Sequence, residues 1–128
     1  MAIKNEKQFE AWFTLQLLNT RWQFAEHLIG SNGQPDITAT NCHERTVFIE
    51  CKHTRDPNWR DIQGKEVFTV AQPIWYHQHP GTDIRIVIYA PDGVWYHKVN
   101  HDISLLYRKV PLNMWSWDRV NYETFGTL

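Results

Sequence analysis

Residues 46–52, T-V-F-I-E-C-K, constrain this chain more than any other stretch. The run is rich in β-branched and aromatic residues. A period of two places Val47, Ile49 and Cys51 on one face of a strand and Phe48, Glu50 and Lys52 on the other. A glutamate and a lysine then project the same way. Asn32, Gly33 and Pro35 form a turn signal, after which residues 36–40 read as a second short strand, with residues 41–45 as the connecting loop. If Thr40 faces Thr46, the paired residue numbers sum to 86, and Asp36 falls opposite Glu50 with Cβ atoms roughly 4.5–5.5 Å apart. Like charges so placed destabilise a sheet, so the pair calls for a cation. All-oxygen donors suit Mg²⁺ or Mn²⁺, which take one or two carboxylates together with waters and phosphate oxygens. The backbone carbonyl of Cys51 is a further candidate ligand, and Lys52 a point charge able to hold a nucleophilic water or stabilise charge developing on a phosphate.

P-D at 35–36, a gap of thirteen residues and E-C-K at 50–52 resemble the motif of the PD-(D/E)xK nuclease superfamily, which includes type II restriction enzymes and archaeal Holliday-junction resolvases. Within it, the chain is most similar to resolvase-type and VRR-NUC-type single-domain nucleases. Those also carry a Glu on the first helix, here Glu6 or Glu10, and often a Gln at the start of the second, here Gln72. The resemblance implies an α/β, restriction-endonuclease-like domain over residues 1–128, its mixed sheet flanked by helices in the order α-β-β-β-α-β-β. It also implies Mg²⁺- or Mn²⁺-dependent DNA endonuclease activity that leaves a 5′-phosphate and a 3′-hydroxyl. By analogy, so small a domain favours reading DNA shape, such as a branched junction, as a homodimer. A sequence-specific restriction or homing endonuclease cutting duplex DNA, and a non-catalytic binding module on a nuclease fold, are the alternatives.

The 128 residues, 42% hydrophobic, suffice for one modest core. No apolar run is long enough to span a membrane, and the N-terminus lacks the pattern of a signal peptide, so a cytoplasmic protein is expected. Cys42 and Cys51 form neither a metal-type spacing nor a disulfide framework. With 13 Lys and Arg against 14 Asp and Glu, the net charge is −1, whereas nucleic-acid binders usually carry a basic patch. Clustering offers a way round this. Arg55, Arg60 and Lys65 follow the motif, Arg21 and Arg45 lie elsewhere, and His53 directly follows Lys52. Trp59, between two arginines in a polar stretch, is the best candidate to stack on a base.

Elsewhere the spacing of Phe9, Trp12, Phe13 and Leu17 predicts an amphipathic helix over residues 5–19, with Trp12 in the core. Residues 54–65 read as a mobile polar loop and residues 66–68 as a short strand. A second helix is expected over residues 70–78, ended by Pro80 and Gly81. There Thr69 and Gln72 also fit a capping box, which gives Gln72 a structural role as an alternative to a catalytic one. Residues 83–90 and 94–99 form a hairpin around Pro91, Asp92 and Gly93, followed by a helical stretch near residues 103–107. His43, His53, His77 and His79 lack zinc-type spacing and read as surface or packing residues. The aromatic tail of Trp115, Trp117, Tyr122 and Phe125 has no assigned place.

Overall fold

The computed structural model describes residues 3–20, 22–27 and 32–122; Arg21 and Phe125 lie outside them. Helix α1 (Glu6–Leu18) begins where the Asn5 side chain accepts the Gln8 N–H at 2.9 Å, satisfying one of the free amides of the first turn. Phe9, Phe13 and Leu17, spaced by four, form its fully buried stripe. Among the described residues, six strands form one sheet in sequence order: β1 (Trp22–His27), β2 (Ile37–Asn41), β3 (Thr46–His53), β4 (Ile84–Ala90), β5 (Gly93–Lys98) and β6 (Asp118–Arg119). All neighbours are antiparallel except β3 and β4, which are parallel. A parallel pair needs a crossover, and helix α2 (Ala71–Gln78) lies in it. Through β5 the order is α-β-β-β-α-β-β, as the sequence resemblance implies.

The alternation in β3 separates two cores. Val47, Ile49 and Cys51 pack with Ile37, Ala39, Val87 and the buried face of α1. On the opposite face Ile84, Ile86 and Ile88 pack with Phe68, Trp75, Tyr76, Trp59 and Tyr107, and Phe48 joins them. The β2–β3 register pairs Thr40 with Thr46 and runs to Ile37 with Ile49, the expected sum of 86.

Three expectations need correction. The third strand of the order is not residues 66–68. Residues 64–66 form a 3₁₀ turn closed by Gln63 and Glu66, each side chain bonding the other's backbone, and the missing strand is β1. Residues 54–65 are not a loose loop, because they hold two 3₁₀ turns, Trp59–Asp61 and Gly64–Glu66. Gly64 fits because a Cβ there would lie 1.7 Å from the Tyr107 carbonyl oxygen. Trp59 is fully buried, its indole N–H donating to Asp92 at 3.0 Å, so its faces are not open to a base. The aromatic tail finds its place across both cores: Trp115 and Trp117 pack on the α2 side, and Tyr122 against Trp12 and Phe13. Among the described residues, no helix is long and apolar enough to cross a membrane.

Candidate active site

The site forms where β2 stops and β3 continues. The last paired residue of β2 is Ile37, opposite Ile49, so the Cys51 N–H on the same edge of β3 has no strand to meet. The carboxylate of Asp36, in the bend just before β2, accepts that N–H at 2.8 Å in place of a strand carbonyl. In an extended strand a residue's N–H and C=O point to the same side, so the Cys51 carbonyl faces the vacated edge. Its thiol is buried in the α1-side core, and that burial, with the nearby acids, pushes its pKa well up. Gly33 brings the Asp36 loop against the start of α2, since a Cβ there would lie 2.3 Å from the Ala71 carbonyl oxygen.

Asp36 gathers the acids. It lies close enough to Glu50 on β3 and to Glu10 on α1 to raise the pKa of both. A neighbouring carboxylate disfavours the charged form of an acid, and Glu50 and Glu10 are both raised. Glu50 is 1% exposed. Burial, followed by the Asp36 hydrogen bond, holds its carboxyl well above the ordinary value, with Lys52 opposing. Half-buried Glu10 is pushed up to about 8 by desolvation and by the charge and hydrogen bond of Asp36. Glu6 lies at the exposed end of the cluster. Desolvation of its carboxyl raises its pKa, Lys52 opposes this, and Asp36 adds to it.

Lys52 is 8% exposed, and its ammonium is fixed from three sides. It donates to Gln72 Oε1 at 3.1 Å, lies 4.0 Å from Glu50 Oε2 and stands 5.5 Å from the centre of the Phe68 ring. Gln72 Oε1 also accepts the Thr69 N–H at 3.0 Å. The cap contact and the contact to Lys52 therefore coexist on one atom, with the start of α2 positioning the lysine. The sequence reading missed Tyr76, whose buried hydroxyl donates to Glu50 Oε1 at 3.4 Å. It follows Gln72 by four residues, one helical turn on, which was the available signal.

Of the residues predicted for the site, Asp36, Glu50, Lys52, Glu6, Glu10 and Gln72 come together. The expected nucleic-acid contacts are more dispersed. His53 is stacked on Tyr89 with ring centres 5.5 Å apart, its Nε2 3.3 Å from the Ile3 carbonyl oxygen. Arg55 is exposed and donates to the Lys4 carbonyl at 3.0 Å. Arg60 is held by the Asp92 carboxylate at 3.0 Å and by the rings of Trp59 and Trp95, which makes it part of the scaffold. Lys65 is exposed beside a separate groove that it shares with Arg108 and Lys109.

Among the described residues, no three His, Cys, Asp or Glu side chains are already grouped as a metal site. Asp36 and Glu50 nevertheless fit a hard divalent cation. Both are oxygen donors, and the Asp36 charge opposes ionisation of Glu50, a conflict that a cation would relieve; Mg²⁺ commonly takes one or two carboxylates and draws its other ligands from carbonyl, water and phosphate.

No family model matches the chain, and no curated protein matches it in sequence. Among solved structures it is similar to Hjc, a Holliday junction resolvase from the archaeal hyperthermophile Archaeoglobus fulgidus. The match has 17% identity and a TM-score of 0.48, over 77% of this chain and 74% of that one.

Proposed function

We propose that this chain is a Mg²⁺- or Mn²⁺-dependent endonuclease that hydrolyses phosphodiester bonds in DNA. The observation that carries the reading is the Asp36–Glu50 carboxylate pair, joined by Glu10, beside a lysine whose ammonium is buried and fixed. In a solvated hairpin face Glu50 and Lys52 would stand in water, whereas here they are 1% and 8% exposed.

Asp36, Glu50 and the Cys51 carbonyl would hold the cation, with Glu6 and Glu10 on its α1 side. A divalent cation there supplies Lewis acidity and lowers the pKa of a bound water. Lys52 has three N–H donors and commits one to Gln72. The other two orient the attacking water and steady a non-bridging phosphate oxygen, whose negative charge grows in the transition state. Tyr76 holds Glu50 from behind, fixing the carboxylate on which the geometry depends. The finer reading, supported by the sequence resemblance, is cleavage of branched DNA by two copies of the chain, one site per strand.

The test is incubation of the purified protein with a four-way junction and a matched linear duplex, each with Mg²⁺ and with chelator, alongside Glu50→Ala. The expected result is metal-dependent paired nicks confined to the junction and absent in the variant. Cutting of both substrates would overturn the branched preference and leave the nuclease standing. Cutting that survives chelator or Glu50→Ala would overturn the assigned chemistry.

A further inference from the structure

A cleft of about 650 Å³ opens beside Lys52 on the face of β3 that carries Glu50. It is large enough for one nucleotide, and its lining is unusual for a surface expected to meet DNA. Half-buried Ile62 and Val67 give it an apolar floor, backed by the buried Trp59, Ile88 and Leu112. Carboxylates of Glu6, Asp56, Asp61 and Glu66 stand around it, against the single ammonium of Lys52 and the imidazole of His53. The loop acids each use one oxygen locally. Asp56 accepts the Asn58 N–H, Asp61 the Asn113 side-chain amide and Glu66 the Gln63 N–H, which leaves their second oxygens as acceptors.

A phosphodiester backbone would be repelled from such walls, because every phosphate carries a negative charge. The cations that suit a backbone are elsewhere: exposed Arg55 and Lys65 each precede one of the acids in sequence and do not line the cleft. A neutral, flat group with amine hydrogens to donate fits the interior better. An apolar floor accepts the face of a base, and carboxylates accept its exocyclic amine, as Glu and Asp accept the N4 amine of cytosine.

We infer that this cleft receives one unpaired nucleobase adjacent to the scissile phosphate, so the preferred substrate is DNA with an unstacked base at the cut. Within a duplex every base is stacked and paired, and bringing one into the cleft costs a few kcal/mol. Bulges, mismatches and the open centre of a junction have already met that cost. The inference rests on the proposed nuclease reading and narrows its substrate class. The carboxylate walls further favour cytosine and adenine over thymine, which has no exocyclic amine.

The test measures binding by fluorescence anisotropy, with Ca²⁺ replacing Mg²⁺. Three labelled duplexes are compared: one fully paired, one with a single bulged adenine and one with a bulged abasic nucleotide. The abasic bulge keeps the backbone defect and removes the base. The expected result is about tenfold tighter binding of the adenine bulge than of the abasic one, equivalent to ~1.4 kcal/mol. That gain should shrink in both Val67→Trp, which fills the cleft, and Asp61→Asn, which removes a carboxylate from its wall. Equal affinity for the two bulges, or a gain undiminished in both variants, would overturn the inference. Metal-dependent cutting of the same duplexes, lost in Glu50→Ala, separately decides whether the nuclease reading survives.

Discussion

Glu10→Gln should stabilise the cation-free protein at alkaline pH while impairing its function. The amide keeps the size of the side chain and a hydrogen bond to Asp36 and removes a charge that the fold disfavours. The Glu10 carboxyl sits at about 8 against an ordinary 4.5. At ~1.4 kcal/mol per pH unit, that gap sets a ceiling of about 5 kcal/mol. Glu10 is only half-buried, and solvent screening reduces the realistic figure to about 2 kcal/mol.

The sign follows from proton binding. Between 4.5 and about 8 the folded state holds the Glu10 proton more tightly than the unfolded state, so wild-type stability falls as pH rises through that window. Below 4.5 the carboxyl is protonated in both states, and the two proteins should be alike. Urea unfolding at about pH 3.5 and pH 9 in chelator should therefore show curves that coincide at the lower pH and part by about 2 kcal/mol at the higher one, with Glu10→Gln the more stable. Saturating Mg²⁺ should then raise the wild type, by ~2.7 kcal/mol at a hundred times Kd, and raise the variant less. A variant equal to or weaker than the wild type at pH 9 would refute the claim that the acids are crowded in want of a cation.

Gln72→Ala should lower cleavage about 10- to 100-fold, with metal affinity unchanged, because Lys52 loses its anchor; unchanged cleavage rates would remove Gln72 from the positioning of Lys52. Trp59→Ala should cost about 3–5 kcal/mol in urea unfolding, since the ring is fully buried; normal stability with weakened DNA binding alone would restore the stacking role. Asp83→Asn should cost about 3–5 kcal/mol by leaving Arg85, fully buried and bonded to both Asp83 oxygens at 2.8 and 3.0 Å, beside a neutral partner. Burial raises the Asp83 pKa, but the Arg85 hydrogen bonds and the charges of Arg85, Lys98 and Arg45 outweigh it and hold the carboxyl below 3.8. Its contribution is therefore present above 3.8 and lost as pH falls through the lowered value; acid titration of wild type against Asp83→Asn checks this, and a loss confined to higher pH would contradict it.

What was legible in the sequence were features set by local periodicity. The alternation in residues 46–52 fixed both faces of β3, and turn chemistry with Thr40 opposite Thr46 fixed a register that ends at Ile37 opposite Ile49, with Asp36 one residue beyond the last pair. β1 was hidden because a bulge between Trp22 and Phe24 breaks its pairing beside the end of α1, blurring the period-two signal. Residues 66–68 looked like a strand because Val67 and Phe68 favour one, but the Gln63–Glu66 cap and the Gly64 contact with Tyr107 wind the chain into a turn. Trp59 was misjudged for a different reason. Its neighbours are polar, and the Asp92 that bonds its indole lies 33 residues away, a contact no local pattern encodes. Gln72 fitted two readings at once; its side-chain oxygen accepts both the Thr69 N–H and the Lys52 ammonium, while Val70, not Thr69, is the N-cap of α2 and makes no side-chain cap bond.

The most direct test of the central claim, that Asp36 and Glu50 form a divalent-cation site, is calorimetric titration of Mn²⁺ into wild type, Asp36→Asn and Glu50→Gln. Running it near pH 7 in two buffers of different ionisation enthalpy also counts protons. The wild type should bind Mn²⁺ with release of protons from the crowded acids, and both variants should lose that binding. Binding that releases no proton, or that persists in both variants, would contradict the claim.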